Sequence, residues 1–318
     1  MSIVKPRVIY KPFEYPKAYE YMKLQQNNFW LPSEVDMSPD IEDWQNNLTE
    51  SERKIIGQIL KSFVQSETHI SEYWSSNVSK WFPKHEIVAM AVTFGAFEQI
   101  HAEGYDYLNV ELGLEDYEAF LKDKTATDRL DRLKLVKTKS LPEIARSLAI
   151  FSACTEGTSL FSSFVILANM SRFGYMKGVK NIIEWSQRDE LFHAIAGCWL
   201  FRTLTEENPE ILTKEFKKDI YEAMRLTIEL EDNFIDHAFS LGEMRGLDSK
   251  DLKNYIRNRA NSMLLELGLK TNWKNIDQDS LDRMSWFDQM SYGMNNTDFF
   301  SAKVTDYAKV NWKVGDLF

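Results

Sequence analysis

Phe94-Gly95-Ala96-Phe97-Glu98-Gln99-Ile100-His101-Ala102-Glu103-Gly104-Tyr105 is an apolar helical run with a glutamate and a histidine set into its inward face. It lies in a segment from about Lys84 to Leu108. Taken in steps of three and four, the core stripe of that segment reads Ile87, Met90, Phe94, Glu98, His101, Tyr105, Leu108. Three other segments repeat the arrangement. From Leu48 to about Ser79 the stripe is Ile56, Leu60, Phe63, Glu67, Ile70, Trp74. From Pro142 to about Arg172 it is Ala149, Ala153, Glu156, Leu160 and, past a polar break at Ser163, Leu167. From Lys177 to about Thr205 it is Val179, Ile183, Ser186, Glu190, His193, Gly197, Leu200. Every stripe carries a glutamate near its centre.

A carboxylate removed from water without a partner costs several kcal/mol or takes up a proton, so four of them on converging faces require a common counter-charge. Two divalent metal ions would supply it. Dimetal-carboxylate bundles use one Glu from each of two helices and a Glu-x-x-His pair from each of the other two. Glu98 with His101, and Glu190 with His193, are such pairs, and their spacing puts carboxylate and imidazole on one helix face. Mixed oxygen and nitrogen ligands suit iron or manganese.

The motif alone is weak: with 27 Glu and 5 His in 318 residues, about 0.4 matches arise by chance. Its weight comes from context. Both pairs lie in apolar stripes, and each follows a helix with a lone core glutamate, 31 residues from Glu67 to Glu98 and 34 from Glu156 to Glu190. His69, His85 and His237 have Ser66, Phe82 and Phe234 three positions earlier and so serve as controls.

The rest of the chain fits an all-α helical bundle with additional helices. Apolar residues make up 44%, and only 13 Gly and 8 Pro interrupt the chain, which favours long elements. Thr49 with Glu52 forms a capping box for the first core helix. Two more amphipathic helices are expected over Leu212–Leu241 and Ser249–Leu267. The first 50 residues, with Pro6, Pro12, Pro16, Pro32 and Pro39, read as an irregular arm over the surface, and the charged stretch Gly113–Ser140 as solvated connecting structure. Residues 1–293 then form the bundle with its arm, and 294–318 a flexible C-terminal tail.

A formal charge of −10 is the wrong sign for a nucleic-acid binder. Cys154 and Cys198 read as buried free thiols in a reducing compartment, and Met1-Ser2-Ile3-Val4-Lys5-Pro6 lacks the marks of a signal peptide. A cytoplasmic location is expected. Ser147–Met170 is long enough to span a bilayer, but Glu156 near its middle favours a helix buried in a bundle, and no membrane partner is expected.

At this point the chain resembles the small, radical-generating subunit of class I ribonucleotide reductase, a ferritin-like helical protein. The resemblance covers nearly the whole length. Its carriers are Asn28-Phe29-Trp30-Leu31-Pro32-Ser33-Glu34-Val35-Asp36, Phe97-Glu98-Gln99-Ile100-His101 with Tyr105, and Arg188-Asp189-Glu190-Leu191-Phe192-His193. It implies that Glu67, Glu98, His101, Glu156, Glu190 and His193 ligate two transition-metal ions per chain, and that Tyr105 becomes a stable radical. It also implies an electron route through Trp30 and Asp189, with Asp189 holding the unligated nitrogen of His101. Tyr307 would relay the oxidant to a large catalytic subunit that reduces ribonucleotides. Trp312 and Phe318 would belong to the docking tail of a homodimeric small subunit. From the residues alone, Tyr105 also reads as a core tyrosine and Trp30 as a staple for the arm.

Two positions depart from the family. Glu67 stands where much of the family has Asp, a change found in lineages that use manganese, and Leu160 where many relatives carry Phe. The resemblance therefore leaves Fe/Fe, Mn/Fe and Mn/Mn open, as well as storage on Tyr105 or on the metals. A second reading is a dimetal oxidase or monooxygenase with its own substrate, and a third is an iron-storage or purely structural bundle.

Overall fold

Thr49 and Glu52 exchange hydrogen bonds, Glu52 N–H to Thr49 Oγ1 at 3.2 Å and Thr49 N–H to Glu52 Oε2 at 2.8 Å, and the first core helix starts there. The computed structural model describes residues 2–116, 118, 122–133 and 139–291. The elements among them are helical. The core helices are α3 (Glu50–Glu72), α4 (His85–Glu111), α6 (Leu141–Phe173) and α7 (Lys177–Glu207), flanked by α8 (Lys214–Ser240) and α9 (Ser249–Glu266). α3 packs along α4 and α6 along α7, and the two pairs close on each other through α4 and α7.

α3 and α6 are not uniform α-helices. α3 passes into a π-helical segment at Tyr73–Val78, and α6 is π-helical over Ala149–Ser159, around Glu156. Within that segment the Thr158 hydroxyl donates to the carbonyl of Ala153, five residues back, at 2.7 Å. π-segments inside helices occur often at functional sites, because the extra residue per turn re-aims a side chain. α6 is long and apolar enough to cross a membrane, yet 94% of its apolar window is buried inside the bundle. Close approach sets its position. A Cβ on Gly197 would lie 1.7 Å from Ser152 Oγ, and one on Gly157 would lie 2.2 Å from Met263 Sδ.

Three expectations need correction. The N-terminal arm is not irregular throughout: it contains α1 (Pro16–Asn27) and α2 (Ser38–Asn46). Its prolines start helices here, since Pro16 and Pro39 occupy first-turn positions where the missing N–H is not needed. α2 also serves α7. Buried Asp40 accepts the backbone N–H of Gly178 at 2.9 Å and of Val179 at 2.7 Å, capping a helix that follows a left-handed Met176.

The stretch 113–140 is not simply solvated either, since it holds α5 (Lys124–Leu133). From α5, Arg129 reaches inward. Its Nε lies 2.9 Å from Glu231 Oε1, Nη2 donates to the Ser159 carbonyl at 2.6 Å, and the guanidinium covers the Phe234 ring at 4.1 Å. Glu231 is fully buried and also accepts from Ser159 and Ser162. A last helix, α10 (Gln278–Ser291), was not expected from the sequence. The tail 294–318, with Tyr307, Trp312 and Phe318, lies outside the described residues.

Removing one partner of a buried ion pair strands the other. Arg129→Met is therefore expected to lower the stability of the metal-free protein at pH 7 by roughly 3 kcal/mol, read from urea unfolding. Adding Glu231→Leu should recover part of the loss. A loss below about 1 kcal/mol would show that Glu231 does not depend on Arg129.

Candidate metal centre

Glu67 on α3, Glu98 and His101 on α4, Glu156 on α6, and Glu190 and His193 on α7 are each 0% exposed. They meet because α4 and α7 run antiparallel in a fixed register. Glu98 Oε1 lies 2.6 Å from His193 Nδ1, and His101 Nδ1 lies 3.1 Å from Glu190 Oε1. One step along α4 thus matches one step back along α7, and each Glu-x-x-His pair faces the other reversed. His101 Nδ1 also lies 3.0 Å from Glu98 Oε2 and 3.9 Å from Glu67 Oε2.

The ligand atoms form two overlapping groups, each within 4.8 Å: Glu67, Glu98, His101 and Glu190 in one, and Glu98, Glu156, Glu190 and His193 in the other. Glu98 and Glu190 belong to both. Two carboxylates shared between two groups, each completed by one further Glu and one His, form a donor set that can bridge two metal ions and cap each one. His69, His85 and His237 enter neither group.

The atoms themselves test the fit. Both Glu67 oxygens, one oxygen each of Glu156 and Glu190, and the Nε2 of His193 are buried without a completed hydrogen bond. Orphaned donors and acceptors at this density are expensive unless something else satisfies them. The electrostatics agree. Burial, then the charges of Glu190 and Glu98, drives the Glu67 carboxyl well above the usual carboxylate range. Burial, then the same two charges, does so at Glu156. Burial and then Glu98 push Glu190 up to about 7. Burial also opposes ionisation of Glu98, but the imidazoles of His193 and His101 outweigh it and hold the carboxyl low. His101 is raised well above the ordinary imidazole value: burial works against its charge, and Glu98, Asp189 and Glu190 overcome that.

A layer of partners fixes the cluster. Asp189, fully buried, lies 3.3 Å from His101 Nε2 and accepts the Trp30 indole N–H at 2.8 Å. A carboxylate on the far nitrogen of an imidazole sets its tautomer and aims its other nitrogen. Trp30 stacks on His101 with ring centroids 5.9 Å apart, and touches Trp185 at 5.4 Å. Tyr105 is completely buried, its ring 4.8 Å from that of Phe63. Burial and then the charge of Glu67 keep its phenol well above the ordinary value, while the neighbouring Ser186 hydroxyl pulls the other way.

Trp74 was missed as a functional residue. It reads from the sequence as plain core, yet its indole N–H donates to Glu156 Oε1 at 2.5 Å. The available signal was general: a buried indole finds an acceptor, and the one polar member of its own stripe is Glu67. That the acceptor is Glu156, on another helix, is a tertiary fact.

Without metal, Glu190 has a folded pKa of about 7 against 4.5 as its ordinary value, so its contribution to stability is complete below about pH 4.5 and lost as pH rises through 7. His101, raised above 6.5, acts in the same direction at higher pH. Stability in the presence of a chelator is therefore expected to fall between about pH 5 and 8, by on the order of 3 kcal/mol from Glu190 alone. With Mn(II) present the trend should reverse, because ligation releases those protons. Parallel pH profiles of the urea midpoint with and without Mn(II) would contradict this account.

The match to known proteins follows the same lines. The family model described as ribonucleotide reductase, small chain, matches residues 7–279. A probable ribonucleoside-diphosphate reductase small subunit of Invertebrate iridescent virus 3 is 34% identical over 98% of this chain and 87% of its own length. The beta subunit of Chlamydia pneumoniae ribonucleoside-diphosphate reductase is 27% identical over 93% of this chain and 88% of its own. Among solved structures, the ribonucleotide reductase R2 subunit of Clostridium botulinum superposes with a TM-score of 0.81 at 23% identity, covering 92% of this chain and 94% of that one. The dimanganese(II) NrdF of Streptococcus sanguinis superposes at 0.74 with 18% identity, covering 88% and 99%. These two likenesses establish a shared ferritin-like fold. With a family model spanning residues 7–279 and a relative above 30% identity over 98% of this chain, the chain belongs to the ribonucleotide reductase small-chain family.

Proposed function

We propose that this chain is the small subunit of a ribonucleoside-diphosphate reductase that stores a one-electron oxidant for a large catalytic subunit. The observation that carries the reading is the pair of overlapping ligand groups sharing Glu98 and Glu190, with their orphaned oxygens and nitrogen. Glu67, Glu98, His101, Glu156, Glu190 and His193 would hold two transition-metal ions drawn from iron and manganese. When bound, the metal pair supplies the one-electron oxidising power.

The chain's own residues do the rest. Tyr105 stores the oxidant as a neutral phenoxyl, for which its Oη proton must leave together with the electron. Its full burial beside Phe63 keeps bulk water from quenching that state. Asp189 accepts from Trp30 and lies against His101, joining the arm to the ligand set, and Trp30 with Asp189 begins the electron route toward the surface. In the tail, Tyr307 continues that route while the segment around Trp312 and Phe318 docks to the large subunit.

The small subunit works as a homodimer in the cytoplasm. Cys154 and Cys198 are buried and not disulfide-bonded, which fits a reducing compartment. A self-contained oxidase is not favoured, since the family match spans the bundle rather than its metal motif alone.

After aerobic reconstitution with iron, manganese or both, the wild-type protein should bind two metal ions per chain and give a tyrosyl electron paramagnetic resonance signal that Tyr105→Phe abolishes. A tyrosyl signal that survives the change would remove Tyr105 from its role, and an intense metal-centred signal indifferent to it would place the oxidant on the metals. Deleting the residues after Asp298 should leave metal content intact and abolish ribonucleotide reduction with the large subunit. Substrate oxidation untouched by that deletion would favour the oxidase.

A further inference from the structure

Ser186 lies on the inward stripe of α7, one turn before Glu190, as Tyr105 lies one turn after His101 on α4. The antiparallel register that sets Glu98 against His193 and His101 against Glu190 therefore sets Tyr105 against Ser186. The approach stays close along this stretch: a Cβ on Gly104 would lie 3.3 Å from Ile182 Cγ2, one turn further along α7.

Both hydroxyls are completely buried, and neither completes a hydrogen bond in the structure. For Ser186 an intrahelical acceptor was within reach. A buried helical hydroxyl can donate to the carbonyl four residues back, as Thr205 does to Phe201 at 2.9 Å on this same helix and Thr227 to Ala223 at 3.0 Å on α8. Ser186 forgoes that bond, and the helix register sets it against the phenol. Phe63, whose ring lies 4.8 Å from that of Tyr105, offers no donor.

We propose that Ser186 is a positioning residue for the stored oxidant, its Oγ–H donating a hydrogen bond to Tyr105 Oη. This deepens the reading of Tyr105 given above and rests on it. A phenoxyl oxygen has no proton and can only accept, so a donor held against it stabilises the oxidised form relative to one in a purely apolar pocket, and it fixes where the unpaired spin resides. An unsatisfied serine buried at the same depth would only cost stability. Ser186 therefore acts through Tyr105, without touching metal or substrate.

The test uses two measurements on the full chain, with Ser186→Ala and Ser186→Thr. In the metal-free protein, the phenol C–O stretch of Tyr105, isolated as the infrared difference between wild type and Tyr105→Phe, should shift in Ser186→Ala and return toward the wild-type position in Ser186→Thr. In protein reconstituted with iron or manganese and transferred to D2O, electron-nuclear double resonance should find an exchangeable deuteron coupled to the tyrosyl radical. That coupling should vanish in Ser186→Ala, where the largest g component rises, and persist in Ser186→Thr. An unshifted C–O stretch, or an unchanged deuteron coupling in Ser186→Ala, overturns the proposal. A wild-type protein with the infrared shift but no tyrosyl signal overturns the storage reading of Tyr105 and leaves the hydrogen bond standing, so the two failures are distinguishable.

Discussion

Four carboxylates and two imidazoles share one dry interior, and the rest of the molecule is arranged around that charge. If all four glutamates ionise they carry four negative charges, the amount two divalent cations neutralise, with both histidines left neutral as ligands. In the absence of such ions the cluster shares protons: Glu67, Glu156 and Glu190 are pushed toward the neutral form while Glu98 is held ionised by its imidazole neighbours. The same residues are thus costly to fold around without a cation and well disposed to bind one. The stability set aside in this way becomes metal affinity when the ions arrive.

The fold meets that demand with rigid elements. α4 and α7 lie antiparallel, so that one Glu-x-x-His pair reversed against its twin produces both shared carboxylates and both histidines from two helices. The lone glutamates come from α3 and α6, the two helices that carry π-helical segments. Those segments also hold Trp74 and Glu156, which are hydrogen-bonded to each other. Departure from the regular helix is concentrated where a side chain has to be aimed across to another helix. Small residues allow the approach, with Gly197 against Ser152 and Gly157 against Met263.

Outside the six-residue cluster, the arm does more than cover the bundle. Asp40 caps α7, the helix that supplies Glu190 and His193, and Trp30 is tied through Asp189 to His101. The arm is therefore coupled to the geometry of the cluster at two points. Displacing it would release a helix cap and an imidazole orienter together, which links the integrity of the surface to the chemistry of the interior.

The helical fold class, the four core helices and the six converging side chains were all legible in the sequence, because the physical signal is local. A period near 3.6 marks a helix, and a glutamate interrupting its apolar stripe marks a buried charge in need of a partner. What is not local was not legible. The prolines of the arm read as breakers until the neighbours of Pro16 and Pro39 showed them starting helices. Arg129 read as solvated until Glu231, about a hundred residues away in sequence, appeared beside it. The hydrogen bond from Trp74 to Glu156 and the facing of Ser186 to Tyr105 depend on how separate helices are set against one another. Composition and period fix which residues must be inside. Only the packing of helix on helix decides which of them touch.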